Sequence, residues 1–220
     1  MDIDVSLYAL IDPERAGGNR LADLARQVAA GGASLVQLRD KKSTTKDMIA
    51  KARALGDVLA AKHIPLLIND RVDVALAAEA DGVHIGQDDM APADARLLLG
   101  RNAVIGLSIK TVEQAKAAEV EHLDYVAIGG VYTTTSKDNP APPIGVEGLK
   151  YVIAAIHARA PHMPVVAISG IDETNAADVI AAGADGVAVI SALSLAPDPE
   201  QAARNLRAVI DAALSKRSVR

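Results

Sequence analysis

Eight short apolar runs punctuate this sequence, and any fold for it must bury all of them. They fall at residues 7–11, 35–38, 66–68, 83–85, 104–107, 126–128, 165–168 and 187–190, and most are rich in β-branched residues. Runs this short and this continuously apolar suit strands covered on both faces, as in a parallel sheet. Helical periodicity fills the intervals. Leu21, Leu24, Ala25 and Val28 recur at i, i+3, i+4 and i+7, and Leu206, Val209, Ile210 and Ala213 repeat that spacing. Helix hands over to strand through a recurrent junction: Ala30-Gly31-Gly32-Ala33-Ser34-Leu35-Val36, Ala78-Glu79-Ala80-Asp81-Gly82-Val83 and Ala182-Gly183-Ala184-Asp185-Gly186-Val187. In each, a glycine or small polar residue ends the helix and a strand follows at once.

This alternation leaves two α/β architectures. A doubly wound open sheet predicts fewer strands and a glycine-rich phosphate loop after the first. Here strand one runs into Asp12-Pro13-Glu14-Arg15, with no Gly-x-Gly-x-x-Gly. A (β/α)8 TIM barrel takes eight units in 220 residues, about 27 residues apiece, and is the fold expected. No linker or composition shift divides residues 1–220, so they are read as one domain. With no Phe and no Trp, the core must be built from Ala, Val, Ile and Leu, the branched residues that barrel interiors favour. The last helix is predicted over about 199–214, with Asp198 as N-cap, Pro199 at the first position and Gln201 closing a capping box. Residues 215–220 are expected to be a loose tail. Asp172 is read as the cap of the preceding helix, and 72–79 allows only a short helix.

Composition narrows the function. The net charge is −5, and the only aromatic residues are Tyr8, Tyr125, Tyr132 and Tyr151. A nucleic-acid binder needs a basic excess and stacking rings, so no nucleic-acid partner is expected. No apolar run approaches the ~18 residues of a membrane span, and the start is acidic, without a secretory leader. Cysteine is absent, which excludes disulfides, thiolate metal sites and a cysteine nucleophile. A cytoplasmic protein is the simplest expectation. A small anionic ligand stays open to it, because a local basic cluster can sit on an acidic protein.

In such a barrel the chemistry lies at the C-terminal ends of the strands. Strand two ends in Gln37-Leu38-Arg39-Asp40-Lys41, where alternation points Gln37, Arg39 and Lys41 the same way. Arginine at the mouth suits an anionic ligand, and solvated strand-end charge is an equally good reading of that segment alone. Strand three ends in Asn69-Asp70, and strand four runs into Gly86-Gln87-Asp88-Asp89. Asp70 and Asp89 could share a Mg²⁺ with substrate phosphates. By themselves they are more simply helix caps, Asp70 for the next helix and Asp89 for the one near Pro92. His84 reads as a hydrogen-bonded core histidine, and no second histidine stands at zinc-site spacing. Strand six opens into a long polar loop, Gly129 to Pro140, whose glycines, hydroxyls and Lys137 could cradle an oxyanion, or merely form a polar surface loop. Strands seven and eight end in Ser169-Gly170-Ile171 and Ile190-Ser191, at positions that often bind phosphate in this fold.

In this order, from about Tyr8 to about Ser191, these segments resemble the thiamine-phosphate synthase family. The motifs are Gln37-Leu38-Arg39-Asp40-Lys41, Asn69-Asp70, His84-Ile85-Gly86-Gln87-Asp88-Asp89, Gly106-Leu107-Ser108, Thr134-Thr135-Ser136-Lys137, Gly170-Ile171 and Ile190-Ser191. Each is weak alone, and their common order at predicted strand ends is the strong signal. The resemblance implies an alkyl transfer joining a pyrimidine that bears a methylene diphosphate to a thiazole phosphate, giving thiamine monophosphate and pyrophosphate. It implies a substrate-binding stretch of Gln37, Leu38, Arg39, Asp40 and Lys41, with Gln37, Arg39, Lys41, Asn69 and Lys137 on the diphosphate. It assigns Mg²⁺ to Asp70 and Asp89 and places Ser108 beside the pyrimidine. Thr134, Ser136, Gly170, Ile190 and Ser191 fall on the thiazole-phosphate side, and Thr135 between them is counted as substrate-binding. Arg39, Lys41, Lys137 and Ser108 would carry catalysis, because the nucleophile is the thiazole nitrogen and the protein need supply only stabilisation of the leaving group.

Three positions depart from the family pattern: Ser169 in place of the first of two glycines, Ile109-Lys110 after Ser108, and Thr133 where proline is common. They bear on substrate fit rather than on reaction class. A thiazole tautomerase on the same barrel would not need paired metal carboxylates with three cations. A non-catalytic phosphate-binding barrel would not need the full polar set. Both partners expected are small molecules, and barrels of this size often form homo-oligomers, although no sequence feature names an interface.

Overall fold

The computed structural model describes residues 3–18, 20–136 and 142–218. Eight parallel strands, β1 (Leu7–Ile11), β2 (Leu35–Leu38), β3 (Leu66–Asn69), β4 (Gly82–Ile85), β5 (Val104–Ile109), β6 (Tyr125–Ile128), β7 (Val165–Ile168) and β8 (Gly186–Val189), close into a barrel in sequence order. Around it lie α1 (Leu21–Ala30), α2 (Thr45–Ala60), α3 (Val72–Ala78), α4 (Pro92–Leu99), α5 (Val112–Ala117), α6 (Gly145–His157), α7 (Ala176–Ala181), the single turn α8 (Ser191–Ser194) and α9 (Pro199–Ser218). Every apolar run of the sequence lies on or overlaps a strand. β5 runs two residues past its apolar run and carries Ser108 to the mouth, whereas β8 stops at Val189 and leaves Ile190 to begin the turn into α8.

Side chains alternate between two layers. Leu7, Ala9, Ile11, Val36 and Leu38 join the helices in the outer core, while Tyr8, Leu10, Leu35, Leu67, Val104, Tyr125, Val166 and Ala188 fill the barrel. The interior is thus not purely aliphatic: Tyr8 and Tyr125 are wholly buried in it. Gly106 makes this possible, because a Cβ there would lie 2.0 Å from Cζ of Tyr125.

Three junction residues seen in the sequence, joined by Asp124, have a shared task at the N-terminal rim. Ser34, Asp81, Asp124 and Asp185 each stand just before an even-numbered strand. Each side chain accepts an N–H from the first or second residue of the preceding odd strand: Leu7 at 3.2 Å, Leu66 at 2.8 Å, Ile105 at 2.8 Å and Val165 at 2.9 Å. In return the backbone N–H of each donates to the carbonyl of that same strand residue. The reciprocal pair satisfies groups that would otherwise be buried unpaired.

Three local expectations change. α9 continues to Ser218, past the end expected at 214. Its last turn is tied down by Arg217, which donates to the Ala184 carbonyl at 2.6 Å and to Asp185 at 2.5 Å. Residues 219–220 of the expected tail lie outside the described residues. Asp198 does cap α9, accepting from the Gln201 N–H at 3.0 Å, but the Gln201 side chain turns to Asn205 instead of closing the box. Asp172 does not cap α7, which starts after Asn175. Its carboxylate accepts from the N–H and hydroxyl of Thr174 and so stabilises the turn before the helix.

Asp185→Ala strands the Val165 N–H and removes the ion pair with Arg217 at a rim remote from the strand C-termini. Stability measured by urea denaturation is expected to fall by about 1–3 kcal/mol, with catalytic turnover at saturation unchanged. A variant as stable as the parent would show that this contact is ornamental.

Candidate active site

A cavity of about 410 Å³ opens at the C-terminal ends of the strands. Alternation supplies its floor: Gln37 from β2, Asn69 from β3, His84 from β4 and Ser108 from β5 all face inward, above Tyr8 and Ala188. One wall carries Arg39. The opposite one is built from Thr133–Ser136 after β6, Ser169–Asp172 after β7 and Val189–Ala192 after β8. The structure therefore gathers Gln37, Arg39, Asn69, Ser108, Thr134, Thr135, Ser136, Gly170, Ile190 and Ser191 around one space. Lys41, Asp70 and Asp89 form a separate group beside Asn69 rather than lining the cavity. Lys137 lies outside the described residues.

Leu38 and Asp40 are placed differently from their neighbours. The Leu38 side chain packs into the outer core. Asp40 braces the β2–α2 loop, accepting from Ser43 N at 2.9 Å, Lys42 N at 3.2 Å and Lys51 Nζ at 2.7 Å. Burial works to raise its carboxyl, but these bonds outweigh burial and bring it down to about 2. Both residues fall on the out-facing phase of the strand and its extension. They shape the site through the backbone that carries Gln37, Arg39 and Lys41.

The cations are aimed by acids, Asp12 buried and Asp70 half-buried. Arg39 Nη1 meets Asp12 Oδ2 at 2.5 Å, and the other Asp12 oxygen accepts the Glu14 N–H at 2.9 Å. Lys41 pairs with Asp70. The Asp70 carboxyl is nevertheless held above its ordinary value, first by burial and then by the Asp89 carboxylate beside it, against the pull of Lys41. Neither acid caps a helix. α3 starts after Arg71 and α4 after Ala91, neither with a side-chain cap, while Asp89 Oδ2 accepts the Gly86 N–H at 2.7 Å. Asp70 itself sits at φ +62°, its N–H donating to the His84 carbonyl. The cap reading of both acids therefore gives way to a pair of adjacent carboxylates. Among the described residues no third Asp, Glu, His or Cys joins them.

On the far wall, loops of different strands are tied together. Ser136 Oγ donates to Ser191 Oγ at 3.2 Å, and Thr134 Oγ1 accepts the Ser136 N–H at 3.1 Å. At Gly170 a Cβ would lie 2.4 Å from the Thr133 carbonyl oxygen, at φ +66°, so the β7 loop can approach the β6 loop only through glycine. Its neighbour Ser169 adopts φ +95° although it has a side chain, and its Oγ accepts the Gly130 N–H at 3.1 Å.

Sequence reasoning passed over the tyrosines beneath the site. Gln37 Nε2 donates to the Tyr8 hydroxyl, which lies 3.0 Å from that of Tyr125. Tyr125 meets His84 Nδ1 at 2.8 Å, and His84 Nε2 meets Ser108 Oγ at 2.8 Å. His84 is thus a hydrogen-bonded core histidine. Burial pushes both phenols above their ordinary range, so both remain protonated. Gln37 Oε1 and Asn69 Nδ2 are buried and have no partner among the described residues. The available signal was the rarity of aromatic residues together with the in-facing phase of Tyr8 and Tyr125.

Comparison with known proteins agrees over the whole barrel. A family model described as thiamine monophosphate synthase matches residues 7–193. The thiamine-phosphate synthase of Agrobacterium fabrum is 47% identical over 215 residues, 98% of each chain. That of Albidiferax ferrireducens is 48% identical over 207 residues, 94% of this chain and 92% of the relative. Among solved structures, the thiamine phosphate pyrophosphorylase of Pyrococcus furiosus is similar with a TM-score of 0.85 at 34% identity, covering 96% of this chain and 98% of that one.

Ser169 allows backbone strain and hydrogen bonding to be separated. Ser169→Ala keeps the positive φ and strands the Gly130 N–H, for an expected loss of about 1–3 kcal/mol. Ser169→Gly loses the same bond but relieves the backbone, and should be the more stable of the two variants by about 1 kcal/mol in chemical denaturation. Equal stability of the two would mean that Ser169 carries no strain.

Proposed function

The chain belongs to the thiamine monophosphate synthase family, and on that footing we propose that it condenses 4-amino-2-methyl-5-(diphosphooxymethyl)pyrimidine with 4-methyl-5-(2-phosphoethyl)thiazole, or its carboxylated form, to thiamine monophosphate and pyrophosphate. The observation that carries this reading is the convergence on one cavity of residues expected on both substrates, with Gln37, Arg39 and Asn69 on one side and hydroxyls and Gly170 on the other. Neither the isomerase nor the non-catalytic barrel finds support in the relatives. Among the described residues no helix is long and apolar enough to cross a membrane. Cytoplasmic residence rests on the absence of cysteine and on the phosphorylated, charged substrates.

The chemistry follows from this inventory. The methylene carbon–oxygen bond breaks with its electron pair going to the diphosphate, and the electron-rich aminopyrimidine stabilises the carbon cation left behind. The thiazole nitrogen then supplies the pair for the new carbon–nitrogen bond. The protein needs no nucleophile of its own. Arg39, fixed by Asp12, and Lys41 oppose the charge that grows on the leaving group. Asn69 Nδ2, a buried donor without a partner among the described residues, can bond a phosphate oxygen. Lys137 is assigned the same task from its place directly after Ser136. Thr134, Ser136 and Ser191 offer hydroxyls to the thiazole phosphate. Packed loops hold Arg39, Thr134, Ser136 and Ser191 in place before substrate arrives, so little reorganisation opposes them at the moment of bond breaking.

Asp70 and Asp89 fit a divalent cation. They are two adjacent carboxylates, one with its charge disfavoured by burial and by the other, beside the wall assigned to diphosphate. A bound Mg²⁺ there would neutralise phosphate charge as a Lewis acid.

The decisive assay incubates both substrates with MgCl₂ and measures thiamine monophosphate together with pyrophosphate. Equal yields are expected, and pyrophosphate without coupled product would mean hydrolysis instead. Asp89→Ala should sharply weaken the dependence of turnover on Mg²⁺. Full activity of that variant in chelator would remove the metal assignment. Cation binding needs Asp70 ionised, and its carboxyl is raised above 3.8. Mg²⁺ affinity should therefore decline, as pH is lowered, at a higher pH than an ordinary carboxylate would impose. Titration of Mg²⁺ binding across pH checks this.

A further inference from the structure

Asn175 stands immediately before α7, where an asparagine ordinarily spends its side chain on the free N–H groups of the first turn. Here it makes no such cap. Both ends of its amide turn back to the β7 loop instead: Oδ1 accepts the Asp172 N–H at 3.0 Å, and Nδ2 donates to the Gly170 carbonyl at 2.9 Å. The cavity lining takes in Ser169, Gly170, Ile171 and Asp172 but not Asn175. The side chain therefore grips the loop from behind.

That grip decides which way a peptide group faces. The peptide from Gly170 to Ile171 is trans, so its carbonyl and its N–H point in opposite directions. With the carbonyl on Asn175, the Ile171 N–H points away from Asn175. The peptide before it is held by backbone alone, since the Ser169 carbonyl accepts the Tyr132 N–H at 3.0 Å. Neither the Gly170 N–H nor the Ile171 N–H has an acceptor among the described residues. Gly170 needs its missing Cβ to approach the Thr133 carbonyl. The same absence lets the peptide that follows turn over at little steric cost. Turned over, that peptide would present a carbonyl oxygen to the place assigned to the thiazole phosphate.

We propose that Asn175 is a positioning residue for the phosphorylated acceptor: by holding the Gly170 carbonyl it keeps the Ile171 N–H directed at the phosphate and excludes the turned-over peptide, whose oxygen would repel that anion. The inference rests on the synthase reading and on the phosphate assignment of Gly170, and adds to them a residue that touches no substrate. It also accounts for the uncapped start of α7, because the amide that would satisfy the helix is committed to the loop. The bond to Asp172 sets the amide in place, and the bond to Gly170 sets the peptide.

The test combines steady-state kinetics of thiamine monophosphate formation with calorimetric titration of thiazole phosphate. Asn175→Ala loses both bonds. Asn175→Asp is nearly isosteric, keeps an acceptor for the Asp172 N–H, and sets a carboxylate oxygen against the Gly170 carbonyl. Both variants should raise the Michaelis constant and the dissociation constant for thiazole phosphate by about tenfold, the effect of one lost hydrogen bond to a charged group. The Michaelis constant for the pyrimidine diphosphate and kcat at saturation should stay within about twofold of the wild type. In Asn175→Asp the rise should persist at an ionic strength of about 0.5 M, which screens a distant charge but leaves a turned peptide as it is. An Asn175→Asp enzyme that matches the wild type overturns the proposal, because the bond to Asp172 then suffices, and so does a rise that salt abolishes. A merely structural role would lower kcat and raise both Michaelis constants together, which also overturns it. Poor folding of Asn175→Ala leaves Asn175→Asp to decide. Failure of the wild type to make thiamine monophosphate would instead overturn the synthase reading, a separate result.

Discussion

A ring of parallel strands gives each side chain two directions, inward or outward toward the helices, and this molecule is organised on that alternation. Outward positions make an almost wholly aliphatic layer. Inward positions are apolar in the lower barrel and polar in the upper, so one strand contributes to both core and chemistry. β2 shows the change within four residues: Leu35 inward in the core, Gln37 inward at the cavity floor, and Arg39 just past the strand at the mouth. Its outward partners Val36 and Leu38 pack against helices throughout. A slip of one residue in pairing would place Leu38 in the cavity and Gln37 among the helices.

Charge is distributed with the same division. At the N-terminal rim, Asp124 and Asp185 satisfy strand N–H groups and are paired with Arg96 and Arg217, so these acids serve cohesion. At the C-terminal rim, Asp12 is spent on directing Arg39, whereas Asp70 is held beside Asp89 in a place where burial and that neighbour disfavour its charge. Placing one carboxylate beside another works against stability, and a cation held between them, as proposed, would offset it. Lys41 reaches into this group and links it to the strand that carries Arg39.

The barrel was legible in the sequence because short branched runs between helical periods have few other solutions. The polar residues of the mouth were legible too, because polar side chains at the ends of apolar strands stand out. What a single sequence could not show was which way an isolated side chain serves. Asp40 and Asp70 each follow a strand, yet one braces its own loop and the other meets a carboxylate from the next strand. That difference arises from backbone conformation, including the positive φ of Asp70, which composition does not encode. The cap assigned to Asp172 failed for a similar reason, since a short carboxylate serves a turn or a helix start equally well. Tyr8 and Tyr125 were hidden because they lie 117 residues apart and meet only on closure of the ring.

The reciprocal bonds of the N-terminal rim join β1 to β2, β3 to β4, β5 to β6 and β7 to β8. Across the intervening seams the corresponding ties at Val36, Val104, Val126 and Val187 are backbone to backbone. The eightfold ring is therefore also a fourfold one, made of two-strand quarters each closed by its own side chain. Its joints are unequal: new termini opened between quarters leave all four closures within continuous chain, while a cut inside a quarter turns a local closure into a contact between distant ends. Modular rearrangement of such a barrel has natural units of two strands, and the seams after β2, β4 and β6 are where the chain can be reordered with its smallest cooperative pieces intact.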